Sequence, residues 1–316
     1  MNQESWAAVV ARFNQQYPWI AVETLDINSS ELIERYLAEN GTGSRTADFL
    51  VSNALEGWLN LIERGEVMDY RSPESDKLPA VAMPSPGLYA IAVDPMLFAW
   101  NKLLLPPERV PTTMAELAEM VKADPDFFRG RITTYAPDVS ATGFQSHFAQ
   151  INKHGDTAWE WYDAIAPMVR GENSNGPMLE KLISGEYVLA YDILPGNVWL
   201  AVADPAMADV LGWSFIKGGT YVNLRGAGIP KGSTNINSAK LWLDTILSHE
   251  GQIAMAMGGR TPVRTDVTPD DVEGRYTYAS VLETIPEDEI LTVGYDQKVI
   301  EGRQAFLDRW AQALAR

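Results

Sequence analysis

Three groups of small polar residues follow hydrophobic runs of this chain closely enough to do chemistry. The first is Ser52-Asn53, directly after Ala47-Asp48-Phe49-Leu50-Val51. The second is Ser140, Thr142 and Gly143 at the opening of a helical pattern, joined by Asn173, Ser174 and Asn175 ahead of Gly176-Pro177. Free backbone N–H groups and the helix dipole at such starts favour a bound anion, although capping alone accounts for the same residue types. The third is Tyr191-Asp192, after the apolar run that begins at Tyr187, with Asn197 and Trp199 a few residues on. A carboxylate leaving a core strand is costly to bury unpaired, so Asp192 is expected either to cap a turn or to meet a ligand hydroxyl or amine. On a later strand stand Tyr221 and Arg225. Arg225 is a natural fork for a phosphate or carboxylate, or else the salt-bridge partner of one of the many acidic groups.

The same residue types nominate no catalyst. The serine-nucleophile pattern G-x-S-x-G is missing, and His147, His154 and His249 are far apart, with no H-E-x-x-H arrangement. Surface placement is the expectation for each histidine. Carboxylates are abundant, but no acid/base pair is singled out. The ten tryptophans, Trp58, Trp159, Trp161, Trp199 and Trp213 among them, are read as packing before ligand stacking. No catalytic residue, metal ligand set or cofactor is therefore expected.

The elements that must hold these residues alternate. Trp6, Val9, Val10 and Phe13 fall at i, i+3, i+4 and i+7, which predicts a helix over 5–16; Pro18 stops it, and Ile20 and Val22 alternate as a strand. A helix over 30–40 closes at Gly41, a strand occupies 47–51 and a helix 55–64. Strands are expected at 88–93, 130–134 and 187–191, and helices from Thr113, with its capping-box Glu116, from Ser140, and from Pro177 through Ile183. Further on, a strand opened by Gly226, a turn set by Pro230 and Gly232, and a helix over 240–247 lead to Gly251, read as helping to end that helix. This β-α-β-α order implies mostly parallel sheets covered by helices.

At 316 residues the chain exceeds the roughly 250–300 at which a single core stops growing, so two lobes are expected. A formal net charge of −17 with no offsetting Lys/Arg run argues against nucleic acid or an anionic membrane as partner. The absence of cysteine removes disulfides and thiolate chemistry, and fits a periplasmic or a cytosolic protein equally. No apolar run approaches the roughly 18 residues that span a bilayer.

Two stretches carry a resemblance. Phe13-Asn14-Gln15-Gln16-Tyr17-Pro18-Trp19-Ile20-Ala21-Val22 resembles "F-x-x-x-Y-P-x-I-x-V". Gly226-Ala227-Gly228-Ile229-Pro230-Lys231-Gly232-Ser233-Thr234-Asn235-Ile236-Asn237-Ser238-Ala239, with Ser248-His249-Glu250-Gly251-Gln252, is similar to "G-x-G-I-P-K-G-x-x-N-x-x-x-A" followed by "S-x-E-G-Q". Both patterns resemble those of extracellular solute-binding proteins of bacterial ABC importers, in the group around ferric-iron and phosphorylated-solute binders. The resemblance implies a type II two-lobe α/β fold with the ligand cleft between lobes, the first lobe from 1–95 and 226–275 and the second from 96–225 and 276–316. It also implies a periplasmic, monomeric, non-enzymatic carrier that captures one small solute by hinge closure and delivers it to an inner-membrane permease. A strand and a secretion signal are expected upstream of Met1.

In that frame the ligand candidates are Ser52, Asn53, Ser140, Thr142, Gly143, Asn175, Tyr191, Asp192, Asn197, Tyr221 and Arg225. The iron-binding relatives hold an anion with an "S-G-A-F" loop, matched here by Ala141-Thr142-Gly143-Phe144, and iron with adjacent tyrosines where this chain reads Pro195-Gly196-Asn197-Val198. Iron is therefore not the expected cargo. The helix-start loops and Arg225 make a phosphorylated or carboxylated anion the expected cargo, since local geometry stands behind it; the alternative is an amine, which Asp192 and the acidic total would suit, net charge being only a global average. The other class kept open is a hydrolase or transferase on a similar two-lobe fold.

Overall fold

The apolar spacing near the start of the chain works as a helix should: Trp6, Val9 and Phe13 are buried on one face, and Trp6 and Phe13 both pack on Trp242 at centroid distances of 5.6 and 5.1 Å. The computed structural model describes residues 3–27, 29–295 and 297–315. In chain order, α1 (Gln3–Gln16) and α2 (Ser29–Gly41) precede β1 (Leu50–Ser52), α3 (Leu55–Glu63), β2 (Leu88–Pro95) and β3 (Leu97–Asn101). Next come α4 (Met114–Ala123), α5 (Pro125–Phe128), β4 (Ile132–Tyr135), α6 (Ala141–His154), α7 (Asp156–Ile165) and β5 (Val169–Glu172). Then follow α8 (Asn175–Ser184), β6 (Leu189–Ile193), α9 (Pro195–Val202), α10 (Pro205–Ala208), β7 (Leu211–Phe215) and β8 (Thr220–Gly228). The chain finishes through α11 (Ile236–Leu247), α12 (His249–Met257), α13 (Tyr278–Thr284), β9 (Ile290–Leu291) and α14 (Gln297–Leu314).

Two compact units result, one made of the chain up to Val93 with Leu224–Thr284, the other of Asp94–Asn223 with the chain from Ile285 onward. Residues 276–284, expected in the second lobe, belong to the first unit. There Tyr278 and Val281 are buried, and the Tyr278 N–H donates to the Pro262 carbonyl at 3.2 Å.

In the first unit β8 lies between β1 and β2, and β1 runs antiparallel to β8 with Ser52 opposite Gly226 and Leu50 opposite Gly228. Residues 21–27 form no strand, contrary to the alternation at Ile20 and Val22; after α1 the Ile20 N–H closes a turn onto the Tyr17 carbonyl at 3.0 Å instead. Pro230 to Ser233 form the expected turn, the Ser233 N–H donating to the Pro230 carbonyl at 3.1 Å. Asp48 then takes over. Its carboxylate accepts from the Ser233 hydroxyl, the Thr234 and Asn235 N–H groups and the Asn235 side-chain amide, all at 2.9–3.0 Å, and so organises the loop into α11.

Gly251 does not end α11. It sits inside α12, where Ser248 is the N-cap and accepts the Gly251 N–H at 3.0 Å, and a Cβ there would stand 1.7 Å from the Thr245 carbonyl oxygen. Only glycine lets the two helices turn this tightly. Gln252 locks the corner: its amide donates to Ile91 and Ile246 carbonyls at 3.0 and 2.9 Å and accepts the Val263 N–H at 2.6 Å.

The second unit is built on the order β5-β4-β6-β3-β7. β4 is parallel to β5 and β6, but β3 is antiparallel to both β6 and β7, so the sheet is mixed rather than mostly parallel. The reason lies in β3, which follows directly on β2 and enters the sheet without the helical crossover that a parallel neighbour needs. α14 supplies Phe306 against Phe144 at 5.4 Å and Trp310 against His147 and Tyr162 at 4.8 and 5.6 Å between ring centroids.

Partial burial pushes the Asp48 carboxyl up, but its hydrogen bonds outweigh this and hold it below the usual carboxylate range. Its stabilising effect is thus complete above the unfolded-state value of about 3.9 and disappears as pH falls through the folded value. Asp48→Asn is expected to lower stability by about 1–2 kcal/mol in urea unfolding at pH 7, by analogy with loss of a helix cap, and by much less at pH 2–3.

Candidate ligand-binding site

All five residues of β6 are buried, and the strand ends in a bend made by a residue that rarely makes one: Asp192 has φ 53. A left-handed aspartate costs about a kcal/mol or more relative to an extended one and interrupts the up-down alternation of the strand. As a result the neighbours Tyr191 and Asp192 do not part company; the Asp192 charge acts on Tyr191, and on Tyr162 of α7 and Tyr221 of β8 as well.

The hydrogen-bond partners fix the protons around this point. The ring of His147, on the second turn of α6, has Nδ1 2.8 Å from the Gly143 carbonyl, which can only accept, so Nδ1 carries the hydrogen. Burial pushes His147 down to about 4, so at neutral pH Nε2 is bare and accepts the Tyr191 hydroxyl at 3.0 Å. The Tyr221 hydroxyl similarly donates to Oε1 of Gln145 at 2.9 Å. Burial raises the phenols of Tyr162, Tyr191 and Tyr221 well above their ordinary value, with the nearby Asp192 charge acting the same way. All three remain protonated.

Several polar atoms here are buried and left over. No hydrogen bond closes on either carboxylate oxygen of Asp192, on the hydroxyls of Tyr162 and Thr134, or on either end of the Asn223 amide. The Ser146 hydroxyl stands by Asp192 and eases its charge, as Thr134 does for the Tyr191 phenol. Burial nevertheless raises the Asp192 carboxyl to about 7. Native proteins seldom leave such groups unanswered, which makes this cluster the candidate site.

The sequence candidates divide around this cluster. Tyr191, Asp192 and Tyr221 are brought together, with α6 beginning alongside. Ser140 is the N-cap of α6, accepting the Gly143 N–H at 3.2 Å, and Thr142 is buried in the first turn. Gly143 lies so close to β4 that a Cβ would sit 2.7 Å from the Tyr135 carbonyl oxygen, which makes it a packing glycine. Asn175 braces the fold, since its amide brackets the Leu194 backbone, donating to the carbonyl and accepting the N–H at 3.2 Å each, and accepts the Tyr135 hydroxyl at 3.3 Å. Asn197 is exposed on the first turn of α9, away from the buried group. Ser52, Asn53 and Arg225 belong to the first unit. Ser52 is buried and accepts the Ala54 N–H at 3.0 Å, Asn53 is half-buried, and Arg225 is buried on β8.

His147, Tyr162, Thr134, Gln145 and Asn223 were not singled out by the sequence. His147 was expected on the surface and is instead fully buried, because it follows Phe144 by three residues and shares its inward face. Asn223 had a legible signal: it stands midway between Tyr221 and Arg225, where the period of two puts it on the same strand face as Tyr221.

Comparison with known proteins bears on this arrangement. The family model described as bacterial extracellular solute-binding protein matches residues 8–277. A comparison with curated proteins gives no match. Among solved structures, the substrate-binding protein of an ABC transporter from Agrobacterium tumefaciens superposes with a TM-score of 0.85 at 24% identity, covering 99% of this chain and 92% of the other. AfuA from Actinobacillus pleuropneumoniae, a periplasmic binding protein with exogenous fructose-6-phosphate bound, gives 0.74 at 20% identity, covering 100% and 96%. Iron-bound HitA from Pseudomonas aeruginosa gives 0.75 at 17%, covering 99% and 96%. At these identities the likeness is one of fold.

A carboxyl raised in the folded state stabilises least when ionised: between the unfolded value of about 3.9 and the folded value of about 7, the native protein holds the extra proton and stability falls as pH rises. Asp192→Asn is expected to flatten this slope in urea unfolding and to gain stability at pH 8 relative to pH 4, by up to about 4 kcal/mol for a shift of about three units. An unchanged slope would place the carboxyl in water.

Proposed function

Because the chain belongs to the bacterial extracellular solute-binding proteins, carriers and not enzymes, we propose that it is the periplasmic, monomeric component that hands one small polar solute to an ABC permease. The observation that carries this reading is the set of unanswered polar atoms around Asp192 in the second unit. A bound solute would satisfy them, and binding that exists only in a closed state would drive hinge closure, since a ligand shifts a conformational equilibrium only by its differential affinity.

A second reading, a phosphorylated or carboxylated solute, draws on the start of α6, where Ser140 caps the Gly143 N–H and the helix dipole favours an anion. AfuA, with its sugar phosphate, is consistent with it. Asn175 no longer supports it, as its amide is engaged by Leu194 and Tyr135. Iron has less support, because this chain reads Pro195-Gly196-Asn197-Val198 where adjacent tyrosines are expected of an iron binder.

Native mass spectrometry of freshly purified protein is expected to show a retained molecule of small mass that leaves on denaturation. Protein that retains nothing, and that no small polar solute stabilises, would sink the proposal. Ferric citrate is expected to produce no visible phenolate-to-iron absorption; a stoichiometric coloured complex would restore iron as cargo.

A further inference from the structure

We infer that the Asp192 cluster holds an ammonium group, so that the solute is an amine-bearing compound; this rests on reading the cluster as the solute site. Its donors and acceptors are out of balance. Asp192 offers two carboxylate oxygens, both without a hydrogen bond and at 0% exposure. The phenol protons of Tyr191 and Tyr221 are spent on His147 Nε2 and Gln145 Oε1, so towards anything else these oxygens can only accept. The hydroxyls of Tyr162 and Thr134 can do either. Against them stand the two amide hydrogens of Asn223 and the Ser146 hydroxyl beside Asp192, so acceptors remain in excess, beside a buried negative charge.

Each kind of occupant meets this differently. An anion is repelled by the carboxylate. A hydroxyl supplies one donor and leaves the charge uncompensated, which is expensive in a dry site. A hard metal ion wants several anionic ligands; among the described residues no group of three His, Cys, Asp or Glu could hold one, and the Tyr191 and Tyr221 hydroxyls are already engaged by His147 and Gln145. An ammonium brings three donors, no acceptor and the opposite charge.

Proton linkage supplies the sharpest readout. The titratable groups that feel Asp192 are Tyr162 from α7, Tyr191 from its own strand and Tyr221 from β8, all protonated at pH 7, with His147 of α6, neutral there, hydrogen-bonded to Tyr191. Tyr295, which acts on Tyr221, is likewise pushed up by burial. Asp192 alone changes charge between pH 6 and 8 in this group, and an ammonium needs it ionised.

The test uses the full chain, freed of retained solute by unfolding and refolding, and three four-carbon probes that differ only at their ends: putrescine, 1,4-butanediol and succinate. Calorimetric titration is expected to give putrescine at least tenfold tighter than the other two, with affinity rising about tenfold from pH 6 to 8. Asp192→Asn, a residue that tolerates the left-handed backbone, should lose at least tenfold, and Tyr162→Phe should lose less. Tighter binding of butanediol or succinate that depends on Asp192 would overturn the amine class while leaving the solute site standing. Putrescine binding that ignores Asp192→Asn and pH would overturn the assignment of the cluster. If none of the three binds, the amine inference falls, and the carrier reading is judged separately by the retained mass.

Discussion

A carboxylate kept from water without a counter-charge is the constraint around which the second unit is arranged. In a low-dielectric surrounding, the Asp192 charge is felt by Tyr162, Tyr191 and Tyr221 together, and its own burial raises it to about 7. Its neighbours respond by staying neutral. His147 is held in a single tautomer by the Gly143 carbonyl, and that tautomer in turn fixes which way the Tyr191 hydroxyl points. A protonated imidazole would turn Tyr191 away, and the hydrogen-bonding character of the cluster would invert.

The first unit closes several of its buried polar groups into networks. Arg264 is almost wholly buried, yet Asp266 takes it at 2.6 and 2.7 Å and Glu74 at 2.8 Å. Asp244 receives the Tyr70 and Ser72 hydroxyls at 2.8 and 2.7 Å, and both polar ends of the Gln252 amide are used. Such closed networks hold a fold in one arrangement, since losing a member leaves the others exposed to the full desolvation cost. The open valences at Asp192, Tyr162, Thr134 and Asn223 contrast with those closed networks.

Much of the frame was legible because it is written in local periodicity. The helical spacing of Trp6, Val9 and Phe13, the turn at Pro230 and the cap at Thr113, whose hydroxyl accepts the Glu116 N–H at 3.1 Å, all depend on residues a few positions apart. The direction of β3 was not, because strand orientation is decided by the route between units and not by composition. At the site, Asp192 and Tyr221 could be nominated from their places on strands. The bracing by Asn175 could not, since it depends on Leu194 lying beside it, and neither could the burial of His147, which a lone histidine on a mixed face does not announce. Long-range hydrogen bonding, not propensity, decides which polar residues brace the fold.

The division of the chain also dictates when each part can fold. The chain leaves the first unit within β2, after Val93, and returns to it within the neighbouring strand β8, at Leu224, with 94–223 in the second unit. The loop into α11 is organised by Asp48, so a helix near the end of that unit waits on a side chain made long before it. During synthesis the emerging first unit must therefore stay open, its apolar β2 unpaired, until the whole intervening stretch has been made. Closing so distant a contact costs entropy that grows only slowly with the length of the intervening chain, but it delays the reward. The early segment is for that interval the part of the protein most exposed to aggregation, and the part that most needs to be held by another molecule.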